Sequence, residues 1–201
     1  MDAQGLADVV LAVCLLAGLA VGISSVRRLL RATRESEERI WRLERLASTD
    51  DLTGLPNRRQ WEEQLPRELG RSLRYDESVC VAMLDLDHFK RYNDAHGHPA
   101  GDRLLKEVAS AWRAVVRPYD MLARYGGEEF SLILVGCELD EAEAIVERLR
   151  LATPDGVSCS VGMAWWDREE APASLVSRAD EALYEAKRSG RDQTFAFAPA
   201  L

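Results

Sequence analysis

The apolar positions along the chain fall into one long run followed by many short ones. No polar side chain occurs from Val9 to Ile23, and the wider stretch from Leu6 to Val26 is nearly as apolar. A helix needs about 20 mostly apolar residues to cross the hydrocarbon core of a bilayer, so this stretch predicts a transmembrane helix within residues 1–26. A cleaved signal peptide and a buried core helix are the alternatives. A signal peptide normally has a basic start, and the start of this chain is acidic. The arginines that follow the run argue against a core helix.

Four arginines follow the apolar run directly, namely Arg27, Arg28, Arg31 and Arg34. Positive charge is retained on the cytoplasmic side of a membrane, so this order predicts a single-pass anchor with its N-terminus outside and the rest of the chain in the cytoplasm. Only a few residues precede the run, and we therefore expect no extracellular sensor domain.

Residues 27–49 are highly charged and carry apolar or small side chains at alternating intervals of three and four residues. These positions are Val26, Leu29, Thr33, Ser36, Ile40, Leu43 and Ala47. The spacing is that of the a and d positions of a coiled coil, which predicts a connecting helix that pairs with a second copy. The seam is short and contains two polar residues, so a solitary amphipathic helix is the alternative.

From residue 50 to residue 201, short apolar runs alternate with amphipathic stretches. Helical periodicity predicts helices over residues 58–74, 104–116, 140–151 and 173–189. Short β-rich runs predict strands at residues 78–84, 121–125, 130–135, 157–165 and 194–197. The second and third of these strands flank Gly126-Gly127 and predict a hairpin. Helices and strands are mixed, so the fold class is α/β or α+β, with one sheet covered by helices.

The composition agrees with a folded domain and limits the class of ligand. The chain is 47% hydrophobic, which is enough for a core and argues against disorder. The net charge of -8 argues against a protein that binds DNA or RNA through a basic face. A nucleotide is compatible with this charge, because a divalent cation can mediate the contact. The four cysteines, Cys14, Cys80, Cys137 and Cys159, show no CxxC spacing, and we expect buried free thiols in a reducing compartment.

Two acidic clusters lie at the ends of predicted strands. Asp85-Leu86-Asp87 follows an apolar run, and Glu128-Glu129 lies at the turn of the hairpin. Residues two apart share a face of a strand, so Asp85 and Asp87 are expected to point to one side. Hard divalent ions bind such carboxylates together with substrate phosphates, and two ions can assist both the attacking and the leaving oxygen. Gly126-Gly127 would allow a tight turn and the approach of a ligand. A solvated acidic turn is the alternative.

Polar residues beyond the first cluster suit a nucleotide. Lys90 can face phosphates as a point charge. Asn93 and Asp102 lie on either side of a Gly-rich turn, residues 96–101, and an amide and a carboxylate there can read a purine edge. Each is also an ordinary cap or turn residue, and we interpret His96 and His98 as turn residues rather than a metal pair. The sequence contains no P-loop and no nucleophile elbow.

Six motifs follow one another between residues 50 and 195. They are Asp50-Asp51-Leu52-Thr53-Gly54-Leu55-Pro56-Asn57-Arg58-Arg59, Asp85-Leu86-Asp87-His88-Phe89-Lys90 with Asn93-Asp94, Gly97-His98 with Gly101-Asp102, Arg124-Tyr125-Gly126-Gly127-Glu128-Glu129-Phe130, Ser160-Val161-Gly162, and residues 179–191. One such motif is weak evidence, but six in this order and spacing are specific. Through these six motifs the chain resembles the GGDEF domains, which are diguanylate cyclases.

The resemblance implies a palm-like nucleotidyl cyclase fold, with a mainly antiparallel central sheet flanked by helices. It implies that two domains, each loaded with one GTP, face each other as a homodimer and form cyclic di-GMP with release of two pyrophosphates. It implies Mg²⁺ or Mn²⁺ as cofactor, two ions per half-site. With the predicted anchor, the expected location is the inner membrane of a bacterium.

The resemblance also assigns site residues. The implied metal ligands are Asp85, Leu86 through its carbonyl, Glu128 and Glu129. The implied substrate-binding residues are Phe89, Lys90, Asn93, Asp102, Lys187 and Arg191, with Asn93 and Asp102 as guanine readers. Glu128, Glu129 and Lys90 are the implied catalytic residues. Three departures from the family pattern are Glu128 in place of Asp, Asp192 where Asn is usual, and a short segment over residues 150–158.

Arg117-Pro118-Tyr119-Asp120 occupies the family's RxxD position, which implies an allosteric site where the product binds and inhibits. Arg148 is a further candidate contact of that site. The alternative is a helix that ends at Arg-Pro beside a surface aspartate. At the level of function, the alternatives to a cyclase are an inactive receptor for cyclic di-GMP and a membrane-tethered scaffold.

Overall fold

The computed structural model describes residues 48–154 and 156–197. The predicted transmembrane helix, residues 27–47 of the predicted connecting helix and Cys14 lie outside these residues. None of the helices in the described ranges is both long and apolar enough to span a bilayer. These helices are α1 (Arg58–Tyr75), α2 (Phe89–His96), α3 (His98–Val115), α4 (Leu139–Leu151) and α5 (Pro172–Arg188).

One sheet organises the described residues. Its strands are β1 (Val79–Leu86), β2 (Met121–Arg124), β3 (Glu129–Val135), β4 (Cys159–Trp165) and β5 (Thr194–Phe197). Their spatial order is β2-β3-β1-β4-β5, so β1 is central. β1 pairs antiparallel with both β3 and β4, β2 pairs antiparallel with β3, and β5 runs parallel to β4. The predicted α+β class with a mainly antiparallel sheet is confirmed.

The central strand is covered on both faces of the sheet, since every residue of β1 is buried. Alternate side chains of β1 enter two separate cores. On one face, α3 and α4 cover a core in which Trp112 and Phe130 meet edge to face, with ring centroids 4.9 Å apart. On the other face, α1 and α5 contribute Trp61 and Leu183. The three cysteines of the described residues are buried free thiols, as predicted.

α5 crosses β4 at Gly162 with almost no space between the two backbones. A Cβ atom at Gly162 would lie 2.6 Å from the Cα of Leu183, and closer still to the Leu183 nitrogen and the Ala179 carbonyl oxygen. All three atoms belong to the backbone of α5, so no side-chain rotation could make room. The Ser160-Val161-Gly162 motif therefore serves packing at this position.

Several predicted elements differ from the observed ones, two of them near the site. β1 was predicted to end at Leu84, but it continues to Leu86 because it is paired on both sides in this region. The predicted Gly-rich turn over residues 96–101 was wrong. Gly97, with a φ of 82°, is the only residue between α2 and α3, and His98 already begins the next helix.

Candidate active site

The two acidic clusters meet at one end of the sheet. Asp85 in β1 is paired with Glu129 in β3, and the Leu86 amide donates to the Glu128 carbonyl at 3.3 Å. Asp85 is 8% exposed, whereas Glu128 is half-buried and Glu129 is exposed. The antiparallel pairing of β1 and β3 thus brings together two segments that lie about 40 residues apart in the chain.

A lysine from α5 completes this cluster. The Nζ of Lys187, in the last turn of α5, lies 2.8 Å from Oδ2 of Asp85. Burial raises the pKa of Asp85 even though Lys187 acts to lower it. Burial, followed by the charges of Asp85 and Glu129, raises the pKa of Glu128. The pKa of both carboxyls therefore stays raised although an ammonium lies beside Asp85.

This donor set fits a divalent cation that is shared with a substrate. The described residues contain no group of three His, Cys, Asp or Glu side chains that could hold a metal by themselves. Mg²⁺ is commonly bound by one or two carboxylates, and phosphate oxygens and water supply its other ligands. Asp85 and Glu128 provide the carboxylates, whose pKa values are raised mainly by burial and also by neighbouring negative charges.

Arg124 fixes the turn between β2 and β3. Its Nε and Nη2 donate to the Gly127 carbonyl at 3.1 and 2.7 Å, and its Nη1 donates to both carboxylate oxygens of Asp50. Asp50 also accepts from the amide and the hydroxyl of Thr53. Burial acts to raise the pKa of Asp50, but these hydrogen bonds hold it below its ordinary value. The first motif of the domain therefore supports the hairpin.

The two glycines of the hairpin turn act differently from the prediction. Neither Gly126 nor Gly127 has a positive φ, so the turn does not use the conformational freedom of glycine. A Cβ at Gly126 would collide with the carboxylate of Glu129. Around Gly127 no heavy atom lies within 4 Å of a Cβ position. The close atom at Gly126 is the end of the exposed Glu129 side chain, which can move, and Gly127 faces open space.

The predicted purine readers lie on the helix pair that follows β1. Asn93 in α2 packs against Gly101 in α3, where a Cβ would lie 2.9 Å from the Asn93 Cγ and closer to its Oδ1. That Oδ1 is buried and has no hydrogen-bond partner within the described residues. Asp102 follows Gly101 directly and is exposed. An orphaned buried oxygen suits a donor supplied by a ligand.

The remaining predicted substrate residues surround the same end of the sheet. Phe89 is buried at the start of α2, where its ring lies below Gly101. Lys90 follows it and is exposed. Arg191 lies in the turn after α5 and is exposed, four residues beyond Lys187. Of the three cationic side chains, Lys187 contacts Asp85, Arg191 lies 4.0 Å from Asp87, and Lys90 is on the first turn of the helix that follows β1.

Asp87 accepts from Ser160, which lies opposite Asp85 in β4 and therefore on the same face of the sheet, in agreement with the prediction that both aspartates point to one side. β1 ends at Leu86, and the carboxylate of Asp87 is enclosed by protein donors. It accepts from the hydroxyls of Ser158 and Ser160, each at 2.7 Å, and from the amide of Asp192 at 3.0 Å. Sequence reasoning missed both serines, because two serines around a buried strand residue are not a recognisable signal.

The structure brings Arg117 and Asp120 together. Nε of Arg117 donates to Oδ2 of Asp120 at 2.9 Å, and its Nη1 donates to Glu141 at 2.7 Å. The hydrogen bond to Asp120 raises the pKa of Arg117. Asp120 has a fully buried side chain, which excludes the alternative of a surface aspartate.

Arg117 and Asp120 line a groove of about 370 Å³ between the end of α3 and the start of β2. Arg148 lies on the exposed side of α4 and makes no ion pair in the part of the chain that the structure describes. Glu141, on the first turn of the same helix, contacts Arg117 instead, and sequence reasoning missed it.

The chain is similar to known proteins over most of its described residues. The family model described as diguanylate cyclase, GGDEF domain, matches residues 47–193. The diguanylate cyclase DgcP of Pseudomonas aeruginosa is 43% identical over 157 residues, which cover 73% of this chain. The chain spans 23% of the length of that relative.

Two solved structures resemble the described fold. The coiled coil and GGDEF domain of DgcB from Caulobacter crescentus, in complex with c-di-GMP, gives a TM-score of 0.75 at 32% identity and covers 91% of this chain and 99% of that one. The active GGEEF domain of a diguanylate cyclase from Vibrio cholerae gives a TM-score of 0.67 at 26% identity, with coverage of 72% and 98%. By its family match and its fold, this chain belongs to the GGDEF diguanylate cyclase family.

Proposed function

We propose that this chain is a diguanylate cyclase, which condenses two molecules of GTP into cyclic di-GMP and releases two molecules of pyrophosphate. The observation that carries the proposal is the meeting of Asp85, Glu128 and Lys187 at one end of the sheet. These groups can hold a metal-bound triphosphate, and membership of the family supports the same reaction.

The residues of the site divide the work of binding. Asn93 and Asp102 hold the guanine edge, Asn93 through the oxygen that has no partner in the described protein. Lys90, Lys187 and Arg191 contact the triphosphate. Asp85, the Leu86 carbonyl and Glu128 would hold the metal, with Glu129 assisting. When bound, Mg²⁺ or Mn²⁺ neutralises charge on the phosphates and makes the 3′ hydroxyl a better nucleophile.

Catalysis rests on positioning and on compensation of charge. The ribose 3′ oxygen of one GTP attacks the α-phosphorus of the other, and the bond to the β-phosphate oxygen breaks as pyrophosphate leaves. The 3′ oxygen of the second GTP then attacks the α-phosphorus of the first, which closes the ring and releases the second pyrophosphate. Each domain supplies one nucleotide, so the active species is a homodimer. The predicted coiled coil within residues 27–49 would raise the local concentration of the second copy.

Glu128 stands in the signature where the family more often has Asp. The longer side chain keeps the carboxylate, which is the group that a hard cation requires. The likeness to the Vibrio cholerae domain, which is described as an active GGEEF domain, supports activity with Glu at this position.

The activity is tested with the full chain in detergent or nanodiscs, incubated with GTP and Mg²⁺. We expect cyclic di-GMP and pyrophosphate in a ratio of one to two, identified by mass spectrometry, and no product with ATP. A lack of cyclic di-GMP, even when two copies are joined by a fused dimerisation segment, would favour the receptor or the scaffold. Binding of cyclic di-GMP then separates these two alternatives.

We also propose that residues 1–26 anchor the chain in the inner membrane of a bacterium, with the domain in the cytoplasm. The apolar run and the arginines after it support this. The full chain should sediment with membranes and resist extraction by carbonate, and a variant that lacks residues 1–26 should remain in the supernatant. Recovery of the full chain in the supernatant would contradict the anchor.

Product inhibition through the groove at Arg117 and Asp120 is the third part of the proposal. A guanidinium and a carboxylate suit the phosphates and guanine edges of cyclic di-GMP. The two side chains are already held together at 2.9 Å, and the groove lies beside them.

Arg117→Ala should leave the initial rate of turnover unchanged and raise the inhibition constant for cyclic di-GMP by about tenfold or more, the effect of one lost charge-assisted contact. Progress curves with added cyclic di-GMP measure this constant. Arg74→Ala, which removes an exposed arginine at the end of α1, is the control. Unchanged inhibition in the Arg117 variant would show that the product binds elsewhere.

A further inference from the structure

The turn after α5 has an unusual backbone. Gly190, Arg191 and Asp192 have φ values of 122°, 65° and 49°, so three consecutive residues lie in the left-handed region. For a residue with a side chain this conformation costs on the order of 1 kcal/mol. Arg191 and Asp192 are both in this strained conformation, which a residue keeps only where surrounding contacts impose it. The turn is therefore held in place from outside.

One of these contacts comes from Asp87, just beyond the end of β1. Oδ2 of Asp87 accepts from the amide of Asp192 at 3.0 Å and from the hydroxyl of Ser158. Its Oδ1 accepts from the hydroxyl of Ser160 and lies 4.0 Å from Nε of Arg191. The side chain of Asp87 is 0% exposed. A buried carboxylate with three donors holds them firmly, because each hydrogen bond is charge-assisted.

Two further contacts hold the same turn. The amide of Arg191 donates to the Ala186 carbonyl at 3.1 Å, which closes the end of α5. Arg150, from α4, donates to the Asp192 carbonyl at 3.2 Å and pairs with the Asp192 carboxylate. The turn is thus fixed from β1, from α4 and from α5.

We propose that Asp87 is a positioning residue that holds the Gly190–Asp192 turn so that Arg191 reaches the triphosphate of the substrate. Asp87 lies two residues after Asp85, and so the same strand end sets the place of a metal ligand and of a phosphate contact. The serines around Asp87 fix its carboxylate, and the Asp192 amide transmits that position to the turn. This inference rests on the proposed function, because it assumes a nucleoside triphosphate at Asp85.

The test measures binding of α,β-methylene GTP with Mg²⁺ to the full chain by calorimetry, because the methylene bridge replaces the bond that must break. Asp87→Ala should weaken binding by about tenfold, the size of one misplaced charged contact. Asp87→Asn should bind almost as the wild type does. Its amide oxygen can accept from Asp192 and Ser158, and its amino group can donate to Ser160.

The double variant separates positioning from a general structural role. The double variant carries Asp87→Ala and Arg191→Ala. If Asp87 acts through Arg191, the affinity of the double variant for the analogue should be less than about twofold weaker than that of Arg191→Ala alone, because the effects of coupled residues do not add. Arg150→Ala removes the contact from α4. It should also weaken binding of the analogue, but only in a chain that still has Arg191. Steady-state kinetics should show a higher KM for GTP with a smaller change in kcat.

Wild-type affinity in a folded Asp87→Ala variant would overturn the inference, and so would fully additive losses with Arg191→Ala. If Asp87→Ala does not fold, Arg150→Ala decides by the same criteria. A wild-type chain that binds the analogue but makes no cyclic di-GMP contradicts the proposed function and leaves this inference standing. A wild-type chain that does not bind the analogue overturns the inference.

Discussion

Glu128→Gln should lower the rate of cyclic di-GMP formation by about 10³-fold while the domain stays folded, because it removes a carboxylate ligand of the metal that neutralises the reacting phosphates. Burial and the neighbouring charges of Asp85 and Glu129 raise the pKa of Glu128, so the ionised form is disfavoured in the folded domain. A neutral amide removes that repulsion. The Tm at pH 7 should therefore stay unchanged or rise slightly.

Turnover by mass spectrometry and a thermal scan of the same sample measure both parts of this prediction. Glu143→Gln, an exposed position on α4, is the matched control and should match the wild type in rate and Tm. A Glu128→Gln variant that turns over at a rate close to the wild type would remove Glu128 from the set of metal ligands. A variant that loses both activity and Tm would indicate a structural role instead.

Gly162→Ala should destabilise the domain by about 3 kcal/mol or more, because the added methyl group has no space between β4 and α5. The atoms that it would meet belong to the backbone around Ala179 and Leu183, so α5 itself would have to move. Lys187 is carried on this helix, and activity should fall together with stability. A loss of this size lowers the Tm by on the order of 10 °C.

Gly70→Ala makes the same chemical change at an exposed position inside α1 where no heavy atom lies within 4 Å. It should stabilise the domain by up to about 1 kcal/mol, because alanine favours a helix more than glycine does. Urea unfolding of the two variants beside the wild type gives both values. If the Gly162→Ala variant is as stable as the Gly70→Ala variant, then β4 and α5 leave enough space for a methyl group at Gly162, which contradicts the close crossing.

Local pattern was sufficient for much of the fold. The strands on either side of Gly126-Gly127, and the helix over residues 58–74, were predicted from periodicity and turn residues alone. These elements are determined by residues close in sequence. The end of β1 was not predictable in this way. It depends on pairing with β3 and β4, whose positions a single sequence does not give.

Motif order named the candidate site residues, but it could not supply their partners. The contact between Arg117 and Glu141 joins residues 24 positions apart on different elements, and nothing in the local pattern marks it. The same is true of Lys187 beside Asp85. Partners of this kind follow from how helices pack on the sheet, and that packing depends on details such as the missing side chain at Gly162.

Both outer strands of the sheet, β2 and β5, are four residues long. Short outer strands leave few unpaired backbone groups, so the sheet is a poor template for strand addition and for the aggregation that follows from it. Where two copies pair, as proposed above, we therefore expect contact through side chains of helices and loops. Such a contact can be brief and reversible, which the release of a product formed between two domains would require.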